Sequence, residues 1–170
     1  MAQLAVGPGP SALTDCGPLI DAASVEKLEV LLEDALTRNA RVVTGGSRPD
    51  GLGYFYAPTV LDDVPHDARI AQEEIFGPLA AVFGFETEDE AVAAANDTDL
   101  GLAAYVCAGD LAAGLRVAER LETGMVGVNR GIVSDPAAPF GGWKQSGLGR
   151  EGGSHGLLEF CEVKYVAVSW

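Results

Sequence analysis

The sequence has few cysteines, few histidines and no long apolar run, and these shortages exclude several classes of protein. Its 170 residues include three cysteines, Cys16, Cys107 and Cys161, and two histidines, His66 and His155. None of them has the spacing of a metal-ligand motif, so we expect no metal site. An odd number of widely separated cysteines also argues against a disulfide framework and favours a reduced, cytoplasmic compartment.

Basic residues are scarce as well. Eleven lysines and arginines stand against 25 aspartates and glutamates, which gives a formal net charge of −14. Nucleic acids and anionic membranes attract basic surfaces, so we expect neither as a partner. No apolar run approaches the roughly 18 residues of a membrane-spanning helix, and the first residues show no signal peptide. The 48% hydrophobic content is that of a globular protein with a core.

Glycine, in contrast, is plentiful, and it is densest in residues 139–153, PFGGWKQSGLGREGG, which we call the glycine loop. Glycines interleaved with aromatic and charged residues predict an ordered loop near a ligand or an interface. Residues 147–152 also fit G-x-G-x-x-G, the dinucleotide-binding fingerprint. That fingerprint needs a preceding strand and an acidic residue about 20 positions later. Residues 143–146 are not an apolar strand and the sequence ends at Trp170, so a Rossmann-type site is not favoured.

Hydrophobic periodicity predicts an α/β fold. A helical stripe covers residues 22–39, and residues 41–44 and 54–61 read as extended segments. A strand, helix, strand, helix and strand then follow at residues 79–85, 87–96, 103–107, 110–121 and 125–128. Short connections between these elements imply that the three strands form one parallel sheet with right-handed crossovers.

The end of the sequence predicts a short helix at residues 154–160 and an edge strand at residues 162–169. The strand contains no proline and a single lysine. A strand edge with unpaired N–H and C=O groups must be paired or covered. We therefore expect it to pair with its own sheet or with another subunit.

The motif AQEEIFGP at residues 71–78 places Glu73 and Glu74 just before Phe76. Adjacent side chains point in different directions, so the glutamates are not a paired acid–base dyad. One carboxylate beside the ring could bind the hydroxyl groups of a sugar while the ring packs on a flat base. The other interpretation is a solvated glutamate pair followed by a core phenylalanine.

Ser134 and Asp135 follow the strand at residues 125–128, where parallel α/β folds place their ligands. The Ser134 hydroxyl could bind a carboxylate there, although Ser-Asp-Pro is equally typical of a simple turn. No Ser/His/Asp or Cys/His nucleophile arrangement can be assembled from the sequence.

Together these segments resemble the carboxyl-terminal part of the NAD(P)-dependent aldehyde dehydrogenase superfamily, through nearly the whole chain. The segments are VGPG at 6–9, GPLID at 17–21, TGG at 44–46, PTVL at 58–61, EEIFGP at 73–78, ANDT at 95–98, GLAA at 101–104, GMVGVN at 124–129 and PFGG at 139–142. Residues 144–152, KQSGLGREG, look most like succinate-semialdehyde dehydrogenases.

The resemblance implies roles for five residues. Glu74 would hold the hydroxyl groups of the nicotinamide ribose of NAD or NADP, and Phe76 would contact that ribose and the ring. Phe140 would line the aldehyde pocket, and Ser134 would help to bind the distal carboxylate of a succinate-semialdehyde-like substrate. Glu151 would belong to a proton relay.

The resemblance also implies an organisation. Residues 1–153 would be part of the catalytic domain, a parallel-sheet subdomain, and residues 154–170 would be a terminal helix and an oligomerisation arm. A piece of a larger fold leaves apolar faces uncovered, so we expect a homo-oligomer or a docked amino-terminal portion.

In this family the nucleophilic cysteine, the general-base glutamate and the dinucleotide-binding domain lie upstream of the position that matches Met1. Cys16 falls where the family has a non-catalytic residue. The family reaction needs a thiolate to attack the aldehyde, a hydride transfer to NAD(P)+ and attack of water on the thioester. We therefore expect a fragment with no catalytic nucleophile that is inactive alone. The alternative is a non-catalytic module that associates with a full-length relative.

Overall fold

In the computed structural model, which describes residues 1–51 and 53–170, helix α1 (Ala22–Thr37) forms where apolar residues recur every three or four positions. Asp21 caps its N-terminus, and its carboxylate accepts hydrogen bonds from the Ser24 hydroxyl at 2.7 Å and the Ser24 amide at 2.8 Å. These bonds lower the pKa of Asp21. The buried face consists of Val25, Leu28, Leu31, Leu32 and Ala35. The predicted stripe is thus confirmed, except that Leu36 is 42% exposed.

The first of two compact units, Met1–Gly84, contains α1 and a three-stranded sheet. The strands are β1 (Arg41–Thr44), β2 (Thr59–Asp62) and β3 (Leu79–Ala81). β2 lies between the others, antiparallel to β1 and parallel to β3. A short helix, α2 (Arg69–Gln72), precedes β3. The sheet and α1 share one apolar core, whose largest fully buried side chains are Tyr56, Leu28, Leu31 and Leu61.

The second unit, Phe85–Trp170, is built from short elements. In chain order they are α3 (Glu88–Asn96), β4 (Leu100–Gly101), β5 (Ala103–Val106), α4 (Leu111–Arg120), β6 (Met125–Val128), β7 (Trp143–Lys144) and α5 (Gly153–Leu158). β5 and β6 pair in parallel, whereas β4 and β7 pair antiparallel. Thr87 and Asp110 cap the N-termini of α3 and α4. The Thr87 side chain accepts a hydrogen bond from the Glu90 amide at 3.2 Å, and the Asp110 side chain accepts one from the Ala113 amide at 2.8 Å.

The α/β fold class is confirmed, but the predicted arrangement of three strands in one parallel sheet is wrong. β3 pairs with β2, and β5 pairs with β6, in separate sheets of the described residues. Periodicity identifies strands from their own residues and carries no information about their partners. Both β2–β3 and β5–β6 nevertheless have the parallel direction that short strand–helix–strand connections imply.

Residues 162–169 contain no strand, although every one of them is described. Val163 is 98% exposed and Tyr165 is 89% exposed, so this segment does not pair with a sheet of its own chain. Pairing with another subunit stays a prediction. None of the helices described here is long and apolar enough to cross a membrane.

The core of the first unit gives a test of the fold. We expect Leu28→Ala to lower the free energy of unfolding by about 2–5 kcal/mol, because the residue is completely buried and truncation leaves a cavity. Val30→Ala on the same helix is the control, since Val30 is 44% exposed and its loss should cost less than about 1 kcal/mol. Urea unfolding followed by circular dichroism measures both. Equal losses would contradict this packing.

Candidate functional site

Residues 73–78 form an ordered turn between α2 and β3. Its two large apolar side chains lie in different environments. Ile75 packs against the core of the first unit. Phe76 points the other way and is 80% exposed, with a positive φ of 50°. Gly77 lies so close to Leu28 that a Cβ added to Gly77 would be 2.8 Å from the Cδ1 atom of Leu28. The interpretation of Phe76 as a core residue is therefore wrong, and a strained, exposed aromatic residue is typical of a functional site.

The two glutamates of this turn have different environments. The Glu73 carboxylate accepts a hydrogen bond from Arg69 Nε at 2.6 Å, and this bond lowers the pKa of Glu73. Glu74 is exposed, and within the described residues its carboxylate has no hydrogen bond or ion pair. Its backbone carbonyl accepts a hydrogen bond from Lys27 Nζ. Glu73 is thus committed to the fold, whereas the Glu74 carboxylate remains free to bind a ligand.

The turn carries two groups that could hold a nicotinamide cofactor. Lys27 and Leu28, consecutive residues of α1, contact the turn at Glu74 and Gly77, so the helix fixes the backbone on both sides of Phe76. A free carboxylate can accept hydrogen bonds from sugar hydroxyls, and an exposed aromatic ring offers a flat apolar face. A ribose joined to a planar ring could use both groups.

The glycine loop brings together two of the predicted residues of the second unit. Phe140 and Glu151 form an isolated antiparallel bridge, in which the Phe140 amide donates to Glu151 at 2.7 Å and the Glu151 amide donates back at 2.8 Å. Phe140 is half-buried and Glu151 is exposed. Both line an open depression of about 380 Å³. Its other described walls include Leu102, Leu148, Arg150 and Glu159.

Close backbone contacts hold the glycine loop in shape. Arg150 Nη1 donates to the carbonyl of Gly142 at 2.9 Å and to that of Gly149 at 2.7 Å. Gly124, at the start of β6, lies against Gly141, and an added Cβ would overlap the Gly141 carbonyl. Only glycine permits this approach. The loop is therefore ordered, as its composition predicts.

Lys144 is a residue whose role the sequence did not reveal. Its Nζ donates to the backbone carbonyls of Asn96 at 2.7 Å and Thr98 at 3.0 Å, and forms an ion pair with Glu122 at 2.7 Å. The carbonyl end of a helix attracts cations, so Lys144 fixes the glycine loop to the end of α3. Its partners are more than 20 residues away in sequence, and no local pattern indicates them.

Ser134 lies in the exposed connection between β6 and the glycine loop. The turn there is stabilised by Asp135. Its carboxylate accepts a hydrogen bond from the Ala137 amide at 2.9 Å, and its carbonyl accepts one from the Ala138 amide at 3.0 Å. The Ser134 hydroxyl makes no hydrogen bond within the described residues, and Ser134 is not among the described residues that line the depression beside Phe140.

The context of residues 147–152 rules against the dinucleotide fingerprint. The strand before them, β7, has two residues and is antiparallel. The helix after them, α5, has six. A βαβ unit needs a parallel strand and a full crossover helix.

The three cysteines are free. The thiol of Cys16, which is half-buried, donates weakly to the Gly17 carbonyl at 3.7 Å, and that of Cys161 to the Leu157 carbonyl at 3.4 Å. No thiol is hydrogen-bonded to a histidine or a carboxylate within residues 1–51 and 53–170. The same residues contain no group of three side chains suited to a metal ion.

These elements and sites define a member of an enzyme family. A model of the aldehyde dehydrogenase family matches residues 1–166, and the chain belongs to that family. It is 50% identical to glutarate-semialdehyde dehydrogenase of Pseudomonas aeruginosa, over 99% of this chain and 35% of the relative. It is 48% identical to succinate-semialdehyde dehydrogenase [NADP(+)] GabD of Escherichia coli, again over 99% and 35%.

Solved structures agree with the sequence comparison. The crystal structure of an NADP-dependent enzyme of E. coli superimposes with a TM-score of 0.94 at 48% identity, and the match covers 98% of this chain and 35% of that one. The chain thus spans about a third of the length of the relatives that it matches.

The ion pair of Glu73 gives a pH-dependent prediction. Because the folded-state pKa lies below the unfolded value of about 4.3, the pair stabilises the fold above that value, and this stabilisation is lost as the pH falls through the folded-state pKa. We expect Arg69→Met to raise the Glu73 midpoint towards its ordinary value in a carboxylate NMR titration. Arg48→Met, remote in sequence and exposed, should leave it unchanged. An ordinary Glu73 midpoint in the unaltered chain would contradict the prediction.

Proposed function

We propose that the chain is the carboxyl-terminal part of an NAD(P)-dependent aldehyde dehydrogenase that oxidises succinate semialdehyde, or a similar aldehyde, to the acid. The observation that carries the proposal is the contrast within residues 73–78. Glu73 is bound to Arg69, whereas Glu74 and Phe76 are exposed on a turn fixed by α1. A turn needed only for the fold would have no reason to expose a strained aromatic ring beside a free carboxylate.

The cofactor role falls to Glu74 and Phe76. The Glu74 carboxylate would hold the hydroxyl groups of the nicotinamide ribose, and the Phe76 ring would pack on the ribose and the nicotinamide. When bound, NAD or NADP supplies the acceptor for the aldehyde hydride. The name of the E. coli relative specifies NADP(+). That name supports NADP, and the resemblance admits either cofactor.

The substrate roles fall to residues of the second unit. Phe140 would form an apolar wall of the aldehyde pocket, which its half-buried position at the depression supports. Ser134 would bind the distal carboxylate, since its exposed hydroxyl has no partner among the described residues. Glu151, bridged to Phe140, would belong to a proton relay.

The relatives support a semialdehyde with a distal carboxylate as the substrate class. One carries the name of glutarate semialdehyde and another that of succinate semialdehyde. These aldehydes differ by a single methylene, a difference worth only about 1–3 kcal/mol in an apolar pocket. We therefore propose that the substrate is a semialdehyde with a distal carboxylate, and that succinate semialdehyde is the first to test.

We further propose that the 170 residues alone do not catalyse the reaction and that they act in the cytoplasm. The lack of a hydrogen-bonded base at any described cysteine supports the first point. The three free cysteines support the second. A second candidate function, association with a full-length relative, is favoured by the exposed apolar side chains of residues 162–169, which suit an oligomerisation arm.

Activity of the purified chain tests the proposed inactivity. We expect no NAD(P)+-dependent oxidation of succinate semialdehyde above the protein-free rate, because no cysteine of the described residues has a hydrogen-bonded base that would generate a thiolate. The assay follows absorbance of the reduced cofactor, with the E. coli relative as positive control. Robust turnover that disappears in Cys16→Ala would overturn the proposal and identify Cys16 as the nucleophile.

Complementation separates the enzyme part from the association module. We expect activity when the chain is co-expressed with the portion of the E. coli relative that it does not match. In that complex Ser134→Ala should raise KM for succinate semialdehyde about tenfold, the cost of one hydrogen bond to a charged group, and should leave KM for butanal unchanged. Glu74→Gln should raise KM for the cofactor.

Two results would contradict these expectations. A complex that forms without activity, together with tight binding to the intact relative, would replace the enzyme-part proposal with the association module. Equal effects of Ser134→Ala on both aldehydes would remove Ser134 from carboxylate recognition.

A further inference from the structure

A second depression lies in the first unit, and the proposed function makes no use of it. Its volume is about 380 Å³. One face of α1 supplies Glu29, Leu32, Glu33 and Leu36, and the far wall includes Tyr56, which precedes β2. The depression therefore combines an apolar floor with two carboxylates.

The hydroxyl of Tyr56 has no hydrogen-bond partner among the described residues. Tyr56 is only 1% exposed, and its hydroxyl makes no hydrogen bond with any described residue. Every side-chain nitrogen or oxygen sealed from solvent in the described residues does have a partner. The hydroxyl must therefore be the atom of Tyr56 that reaches the depression. A hydroxyl in such a position can donate or accept a hydrogen bond with a ligand in the depression.

The two carboxylates also lack partners. Glu29 and Glu33 are one helical turn apart, where like charges repel, and neither forms an ion pair within the described residues. In the same unit Asp34 and Glu73 each pair with an arginine. The charge of Glu29 acts at Tyr56, since burial and then this charge raise the pKa of the tyrosine. The hydroxyl thus stays protonated beside a negative rim.

We propose that this depression binds a primary alkylammonium ion. The ammonium group would donate to the carboxylates of Glu29 and Glu33 and to the Tyr56 oxygen, and a short alkyl chain would cover Leu32 and Leu36. The 42% exposure of Leu36 gives that chain an apolar surface to bury. An anion would be repelled by the rim, and a divalent metal ion would lack the six or more oxygen ligands that calcium prefers. The inference is independent of the proposed function.

NMR titration of the unaltered chain with n-butylammonium chloride tests the proposal. We expect saturable shifts confined to the amides around Leu36, Ser47 and Tyr56. The same concentrations of n-butanol and of sodium chloride should produce none, because one lacks the charge and the other the alkyl chain. Absence of saturation, or equal shifts with n-butanol, would overturn the proposal.

Two variants test the chemistry. Tyr56→Phe keeps the ring and removes the hydroxyl, and Glu33→Gln alters only an exposed side chain. Each should weaken n-butylammonium binding about tenfold, the effect of one hydrogen bond to a charged group. Glu119→Gln, on α4 of the second unit, is the matched control and should leave binding unchanged. Circular dichroism verifies folding, and unchanged affinity in both test variants would overturn the assignment.

Discussion

The packing of α1 against residues 73–78 is the contact on which the described architecture of the first unit depends. Leu28 is completely buried and touches the position of Gly77, where no side chain would fit. This approach directs Ile75 into the core and leaves Phe76 outside. A single helix thus supports both the apolar core and the presentation of Glu74 and Phe76, so stability and the proposed cofactor role cannot vary independently there.

Local features were predictable from the sequence because their causes are local. The side chains of Asp21, Thr87 and Asp110 each accept a hydrogen bond from the backbone amide three residues ahead. Residues of this type are typical of helix N-termini and indicate where the helices begin. The partner of a strand is set by packing over long sequence separations, and so the pairing of β3 was not predictable. Lys144 belongs to the same class, since its partners lie on α3 and near β6.

The residues of the candidate site could be predicted from the sequence, but their hydrogen-bond partners and charge pairing could not. The motif at residues 71–78 contains two glutamates, and only the position of Arg69, one helical turn before Glu73, decides which is neutralised. That spacing is visible in the sequence once a helix at Arg69–Gln72 is recognised. Phe140 and Glu151, eleven positions apart across a glycine-rich segment, are joined by backbone pairing that residue types do not encode.

The exposed terminal segment has a consequence for the life of the chain in a cell. Residues 162–169 present Val163, Tyr165 and Val168, each at least 74% exposed, on a backbone without secondary structure. Exposed segments at the end of a chain are sites where proteolysis concentrates. A surface that covered this segment would therefore also protect the chain from proteolysis.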